Sequence, residues 1–346
     1  MKIIKPKKLK KGDVVGVVSP SEPVTKKLRK QFDVAVAALQ EFGLKVKLGE
    51  HTFNQYFYNA GTREARIEDF NKIWKDPEVK MILMSQGGET ANHLLDGIDY
   101  EVIKQNPKIF AGISDGTTLL NAIFSKTGLV TYHGPDLLWT FGRKVTEPYK
   151  QNFVKTFFDG NVGQLHEDKN WQHQERKDVK HSGWRCIRGG KATGILIGGH
   201  SGCLSSTMLS GYGPDFENAI LFLEGTDDVG HLDRQFTALK LNGVFGKIRG
   251  LVIGWFEDHE MKDKEKNREV SDVILEVTKN YSFPILEIGE LGHNVENYIL
   301  PIGCVATIDA DKKYFSIDEP TVWSGPRILD RLPSEEGKYL AYGKAH

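Results

Sequence analysis

Lys108-Ile109-Phe110-Ala111-Gly112-Ile113-Ser114-Asp115-Gly116-Thr117-Thr118-Leu119-Leu120 reads as a strand, a sharp turn and a helix. An apolar run reaches Gly112, a serine stands between two glycines, and Leu119, Leu120, Ile123 and Phe124 follow at helical spacing. A residue on such a turn is strained and projects its side chain from the sheet edge, and glycines flank it because bulkier neighbours would clash. The helix behind it directs unpaired N–H groups and a partial positive charge at the turn, where negative charge developing on a carbonyl oxygen would be stabilised. Ser114 is therefore a candidate nucleophile. The bland alternative is a glycine turn in which Ser114 or Asp115 caps the helix.

Upstream, the chain alternates strand and helix. Val14-Val15-Gly16-Val17-Val18, ending at Ser19-Pro20-Ser21, suits a buried strand of a parallel sheet. Helical spacing from about Thr25 to Phe42 closes at Gly43, and Leu44 to Leu48 alternates like a more exposed strand. Arg63 to Trp74 reads as a helix, and Val79 to Met84 as a compact strand running into Ser85-Gln86-Gly87-Gly88. Two glycines at a strand's C-terminal end let backbone approach a ligand, so the Gly87 or Gly88 N–H is a candidate oxyanion donor beside the Asp115 N–H. A plain strand-to-helix turn fits Gly87-Gly88 equally well. With Leu129 to Pro135 as a further strand, the first half has the pattern of a doubly wound α/β domain, whose ligands sit beyond the C-terminal strand ends.

Between about Gly160 and Gly183 the chain turns polar and nearly free of aliphatics, as in a linker or exposed lobe. Trp171 and Trp184 stand out there, either as rings for a ligand to stack on or as plugs at a domain interface. The second half restarts with the glycine-rich strand Gly189 to His200. It continues with a short helix from about Leu204, a strand Ala219 to Glu224 and a helix His231 to Leu241. Strands Gly250 to Phe256 and Phe283 to Ile288 flank a helix Val270 to Thr278, and two short strands near Val305–Ile308 and Tyr314–Ile317 close a mixed domain.

The 346 residues suffice for two domains with ordinary cores. Lys+Arg and Asp+Glu are both 46, which argues against a general attraction to nucleic acid or anionic membrane and for a small molecule or peptide as partner. Cys186, Cys203 and Cys304 are odd in number and outside any C-x-x-C arrangement, which speaks against a disulfide framework or zinc site. The basic start Met1 to Lys8 leads into no long apolar segment, and no run approaches the ~20 residues of a membrane span. These features suggest a soluble cytoplasmic protein.

A serine hydroxyl needs an imidazole to take its proton and a carboxylate to orient that imidazole. Glu224 ends the apolar strand Leu221-Phe222-Leu223, and His293 lies in the loop Leu291-Gly292-His293-Asn294. A glutamate accepting N–H bonds from its own loop and an ordinary loop histidine are the competing readings. His259-Glu260 and His166-Glu167 lack a second histidine at helical spacing, so no metal signature is present.

Together, Ser19-Pro20-Ser21, Gly87-Gly88, Gly112-Ile113-Ser114-Asp115, Gly198-Gly199, Leu223-Glu224 and Gly292-His293 with Pro301-Ile302-Gly303 resemble the serine peptidase S66 family. That family contains murein L,D-carboxypeptidases and the microcin C7 self-immunity proteins, and the motifs occur in its order from about Gly12 to Ile308. The resemblance implies an N-terminal doubly wound α/β domain (1–164, flavodoxin-like or class I glutamine amidotransferase-like) carrying Ser114. It also implies a linker or lobe (165–184) and a C-terminal swivelling β/β/α domain (185–346) carrying Glu224 and His293, in a homodimer without metal or cofactor. The run Phe236 to Gly254 and the polar segment with Trp171 and Trp184 look more like the microcin-immunity branch. Its members cleave an aminoacyl or peptidyl group from a nucleotide-like moiety with an aromatic stacked on the base. Trp171, Trp184 and His200 are the corresponding substrate-binding candidates. A murein tetrapeptide L,D-carboxypeptidase is the alternative; a non-catalytic two-domain binder and an α/β-hydrolase esterase rank lower. Two departures concern the pocket: His200 stands where the family usually has asparagine, and Asn294 to Tyr298 replace small or proline residues.

Overall fold

The computed structural model describes residues 2–208, 210–260 and 263–323. The end of the expected C-terminal domain, 324–346, lies outside the described residues.

The first five strands are β1 (Val14–Val18), β2 (Lys45–Leu48), β3 (Val79–Met84), β4 (Ile109–Gly112) and β5 (Thr131–His133). They lie side by side in the order β2-β1-β3-β4-β5, all parallel. Their β-branched and aliphatic residues are buried in β1, β3 and β4, as a sheet covered on both faces requires. The strand order reverses between β1 and β3, and the Ser19–Ser21 and Ser85–Gly88 loops leave the C-terminal strand ends at that switch point, where ligands of such sheets bind.

The chain then builds a second sheet: β6 (Gly163–Leu165), β7 (Arg185–Arg188), β8 (Lys191–His200), β9 (Ala219–Gly225), β10 (Gly250–Phe256) and β11 (Ile285–Glu287). It returns to the first sheet with β12 (Leu300–Ile302), antiparallel to β5, and finishes the second with β13 (Val305–Asp309) and β14 (Tyr314–Ile317). The second sheet runs β6-β14-β13-β8-β9-β10-β11-β7, with β8 to β11 parallel. β6 and β7 occupy its opposite edges, so the polar 165–184 segment crosses the width of this sheet.

The helix Gly116–Thr127 lies where the two sheets meet. Nearly every residue from Gly116 to Phe124 is buried, because this helix packs against β4 and β5 on one side and against β8 and the helix Ser201–Thr207 on the other. Two hydrogen bonds fix that junction: Thr117 Oγ1 accepts from His200 N at 2.9 Å, and Asn121 Nδ2 donates to Gly198 O at 2.9 Å. Since β8 pairs with β9 in a register that sets His200 opposite Glu224, the helix behind Ser114 also places Glu224.

Most helices and strands fall where the sequence puts them. The Ser201–Thr207 helix begins three residues before the expected Leu204, since His200 Nδ1 accepts from Cys203 N and caps it. The helices Tyr100–Gln105 and Glu147–Val154, the wide turn Leu137–Phe141 and the strands β6, β7 and β12 are additions.

Candidate active site

Ser114 has φ 60°, in the left-handed region, which is costly for a residue with a Cβ and follows from the abrupt change of direction between β4 and its helix. The flanking glycines are required by packing on Met84. A Cβ at Gly112 would stand 2.5 Å from the Met84 sulfur, and one at Gly116 would stand 2.6 Å from it. Asp115 occupies the cap position of the helix, but its carboxylate accepts from Ala91 N at 2.7 Å instead of capping, which ties the elbow to the loop after β3. That loop comes close: a Cβ on Gly87 would lie 2.8 Å from Ser114 Cβ, 3.1 Å from Ser114 Oγ and 3.6 Å from Asp115 N. Ser21 anchors it by accepting from Glu89 N and Thr90 N, each at 2.9 Å. Gly87 thus brings backbone up against the Ser114 side chain and the Asp115 N–H, while Gly88 packs on Ser21 and Glu22.

Glu224, fully buried at the end of β9, accepts from His293 Nδ1 at 2.6 Å through Oε2. Burial pushes the Glu224 carboxyl up, but His293, with help from His200 and His133, overrides this and holds it at about 2. Burial likewise pushes His293 down, and the Glu224 charge more than reverses that, so the imidazole is raised above its ordinary value. The loop holding His293 is tied down by hydrogen bonds and close packing. Asn297 accepts from Gly292 N at 2.6 Å and donates to Gly292 O at 2.8 Å, while Gly292, at φ 148°, packs where a Cβ would meet Trp255 O at 2.4 Å. The Asn294–Tyr298 departure therefore contains the clamp on the histidine. His293 Nε2 is buried and makes no hydrogen bond among the described residues, and His293 and Ser114 line one cavity.

That cavity measures about 1100 Å³ out to its open mouth. Beyond Ser114, His293 and Gly87-Gly88 its wall includes Trp139, Arg143, Gln174, Asn294 and Glu296; Glu224 lies behind His293, off the wall. Trp139 is 40% exposed, its indole N–H donates to Gln86 Oε1 at 3.2 Å, and the Arg143 guanidinium lies 5.0 Å from its ring centre. Arg143 also bonds Glu175 Oε1 at 2.6 Å and the Gln174 side chain, so the polar segment borders the mouth through Gln174 and Glu175. Trp139 and Arg143 escape a sequence reading, because the wide turn that carries Trp139 and the irregular loop after it that carries Arg143 have no periodic signature. Only their position just after His133-Gly134-Pro135, at a strand's C-terminal end, points to the site.

The three expected substrate contacts stand elsewhere. Trp184 is 1% exposed, and its indole N–H donates to Glu290 Oε2 at 2.6 Å. Trp171 donates to Gly289 O at 2.7 Å and packs against His181 and Trp255. Neither ring lines the cavity around Ser114; both fasten the polar segment onto the second sheet. His200 also lies off the cavity wall, with its ring edge toward His293, its centroid 5.6 Å away, and Nε2 at 3.2 Å from Thr226 Oγ1. Among the described residues no group of three or more His, Cys, Asp or Glu is placed to hold a metal ion, and no helix is long and apolar enough to cross a membrane.

Comparison with known proteins gives the family. Residues 15–134 match the LD-carboxypeptidase N-terminal domain and residues 193–308 match the LD-carboxypeptidase C-terminal domain. The chain belongs to the LD-carboxypeptidase family, peptidase family S66. It is a carboxypeptidase-type hydrolase of that family. It is 33% identical over 315 residues, covering 89% of this chain and 92% of the relative, to a protein of Bacillus subtilis (strain 168) named a probable murein peptide carboxypeptidase. It is 32% identical over 325 residues, covering 89% and 94%, to the microcin C7 self-immunity protein MccF of Escherichia coli. The structure of microcin C7 self immunity protein MccF in complex with aspartyl sulfamoyl adenosine superposes with a TM-score of 0.84 at 30% identity, over 92% of this chain and 100% of that one.

Proposed function

We propose that Ser114, His293 and Glu224 form the catalytic triad of a metal-independent serine hydrolase that cleaves an amide-type bond in aminoacyl or peptidyl nucleotides. The observation that carries this reading is the 2.6 Å bond from His293 to buried Glu224, with His293 lining the same cavity as a serine held at φ 60° on a strand-to-helix elbow. In the first step His293 Nε2 takes the Ser114 proton while Oγ attacks the substrate carbonyl carbon. The oxyanion is received by the Asp115 N–H and the N–H of Gly87 or Gly88. Glu224 stabilises the imidazolium, which then protonates the departing nitrogen as the C–N bond breaks. Water, deprotonated by His293, releases the acyl group from Ser114 in the second step.

A nucleotide-like leaving group is supported by the likeness to a protein whose structure holds aspartyl sulfamoyl adenosine. It is supported as well by a half-exposed Trp139 beside Arg143 in the wall, an aromatic face and a cation suited to a base and an anionic linker. The second reading, a murein tetrapeptide L,D-carboxypeptidase, is favoured by the comparable identity to the murein-type relative, 33% against 32%. A homodimer in the cytoplasm, with the domains divided at 1–164, 165–184 and 185–346, belongs to the same proposal, and light scattering tests the dimer.

The experiment is a paired assay by mass spectrometry. Wild type and Ser114→Ala each receive an aminoacyl sulfamoyl adenosine and a murein tetrapeptide. Serine-dependent release of the free amino acid supports the nucleotide reading, and release of terminal D-Ala supports the murein reading. Turnover undiminished in Ser114→Ala contradicts both.

A further inference from the structure

His133 ends β5, in register with Gly112 of β4 on one side and Leu300 of β12 on the other, inside the first sheet. Its side chain is fully buried, and among the described residues neither Nδ1 nor Nε2 has a hydrogen-bond partner. An unpartnered imidazole in a core is costly, since each ring nitrogen leaves water without compensation. Its Nε2 stands 3.7 Å from Glu224 Oε1, and that oxygen is itself buried and without a hydrogen-bond partner among the described residues, its twin Oε2 being the one bonded to His293. The His133 ring is fixed edge-on against Phe222 of β9, with centroids 5.3 Å apart, so it cannot easily turn away. The charged or titratable groups around it are Glu224 from β9, His293 from its loop and His200 from the end of β8.

We propose that His133 is a positioning residue for the triad: its Nε2–H points at the free oxygen of Glu224, fixes the rotation of that carboxylate, and so aims Oε2 at His293. The tautomer follows from electrostatics, because an imidazole lone pair facing a carboxylate oxygen would be repelled, whereas an N–H dipole is attracted, most strongly where water is excluded. At 3.7 Å the contact is longer than a hydrogen bond and acts through that dipole. Burial, the largest influence, holds the imidazole down at about 4, so at neutral pH His133 orients Glu224 without a positive charge that would compete with the imidazolium of His293. The device also couples the sheets, since His133 belongs to the first and Glu224 to the second. This inference rests on the Ser114–His293–Glu224 reading.

The test uses the whole protein, with Ser114 labelling by a fluorophosphonate as the rate and the downfield proton resonance of His293 Nδ1–H as the structural readout. His133→Phe keeps the ring volume and removes the N–H; labelling should fall about tenfold, as the loss of one buried polar contact implies, and the resonance should shift or broaden. His133→Gln places an amide nitrogen near the position of Nε2 and should recover most of the rate and the resonance. His133→Asn puts its nitrogen at the wrong depth and should behave like His133→Phe. If His133→Phe labels as fast as wild type with an unmoved resonance, or if Gln, Asn and Phe are equally slow, His133 only fills space and the proposal falls. Should His133→Phe not fold, the Gln and Asn pair decides alone, with equal rates overturning it. Labelling that survives in Ser114→Ala or His293→Ala would instead bring down the triad reading, which keeps the two failures apart.

Discussion

Replacing Glu224 by Gln tests how much the buried charge does. The side chain keeps its shape and can still accept a bond from His293 Nδ1, but the negative charge is gone. In the folded protein the carboxyl sits at about 2 instead of its ordinary 4.5, a difference of 2.5 that is net of the opposing burial. At a factor of ten for each pH step this corresponds to roughly 3 kcal/mol of preference for the anion, or ~300-fold, most of it from the imidazole beside it. Because the imidazolium forms only as Ser114 Oγ attacks, this preference is lost from the transition state. Fluorophosphonate labelling of Ser114 in Glu224→Gln should therefore slow about 300-fold, with the fold intact by circular dichroism. The same shift has a sign in stability. A carboxyl lowered on folding contributes fully above its unfolded value near 4.5 and loses that contribution as pH falls through about 2, so wild type should weaken steeply across that window and Glu224→Gln should not show that component. A Glu224→Gln protein that labels within threefold of wild type would refute the reasoning.

Gly87→Ala introduces a methyl 2.8 Å from Ser114 Cβ and 3.1 Å from its Oγ; turnover should drop at least ~100-fold while urea denaturation shows a loss of no more than about 2 kcal/mol. Asn121→Leu removes the bond to Gly198 O that docks the nucleophile helix against β8, and should cost about 1–3 kcal/mol in urea unfolding, with turnover falling as the two halves of the triad lose register. Trp184→Phe should lower stability by about 1–3 kcal/mol, by leaving Glu290 without its indole donor, and should leave KM unchanged; Trp139→Ala should raise KM with little effect on stability. The reverse pattern in steady-state kinetics and melting would return Trp184 to the binding site.

The nucleophile elbow was legible in the sequence because its physics is local. A strand, a strained serine and a helix must follow one another directly, and the glycines at 112 and 116 are imposed by Met84 only twenty-eight and thirty-two residues away. Glu224 was legible for a similar reason, as the acidic end of an unbroken apolar strand. His293 carried no local signal beyond its loop glycine and came chiefly from the order of motifs along the chain. β12 was missed because three residues containing Pro301 look like no strand; an edge position tolerates the proline, and the pairing partner Tyr132 lies far earlier in the chain. Trp171 and Trp184 drew notice as aromatics in a polar stretch, but the groups that receive their indole N–H, Gly289 O and Glu290 Oε2, lie more than a hundred residues on. Trp139 and Arg143 become neighbours of Ser114 only when loops from six separated stretches converge on one cavity.

The most direct measurement on the central claim is intact-mass and peptide mapping of the protein after exposure to a fluorophosphonate. A single adduct on Ser114 that disappears in Ser114→Ala and forms far more slowly in His293→Ala is the predicted result. An unmodified Ser114 in the folded wild-type protein, or an adduct whose rate ignores His293, would contradict it.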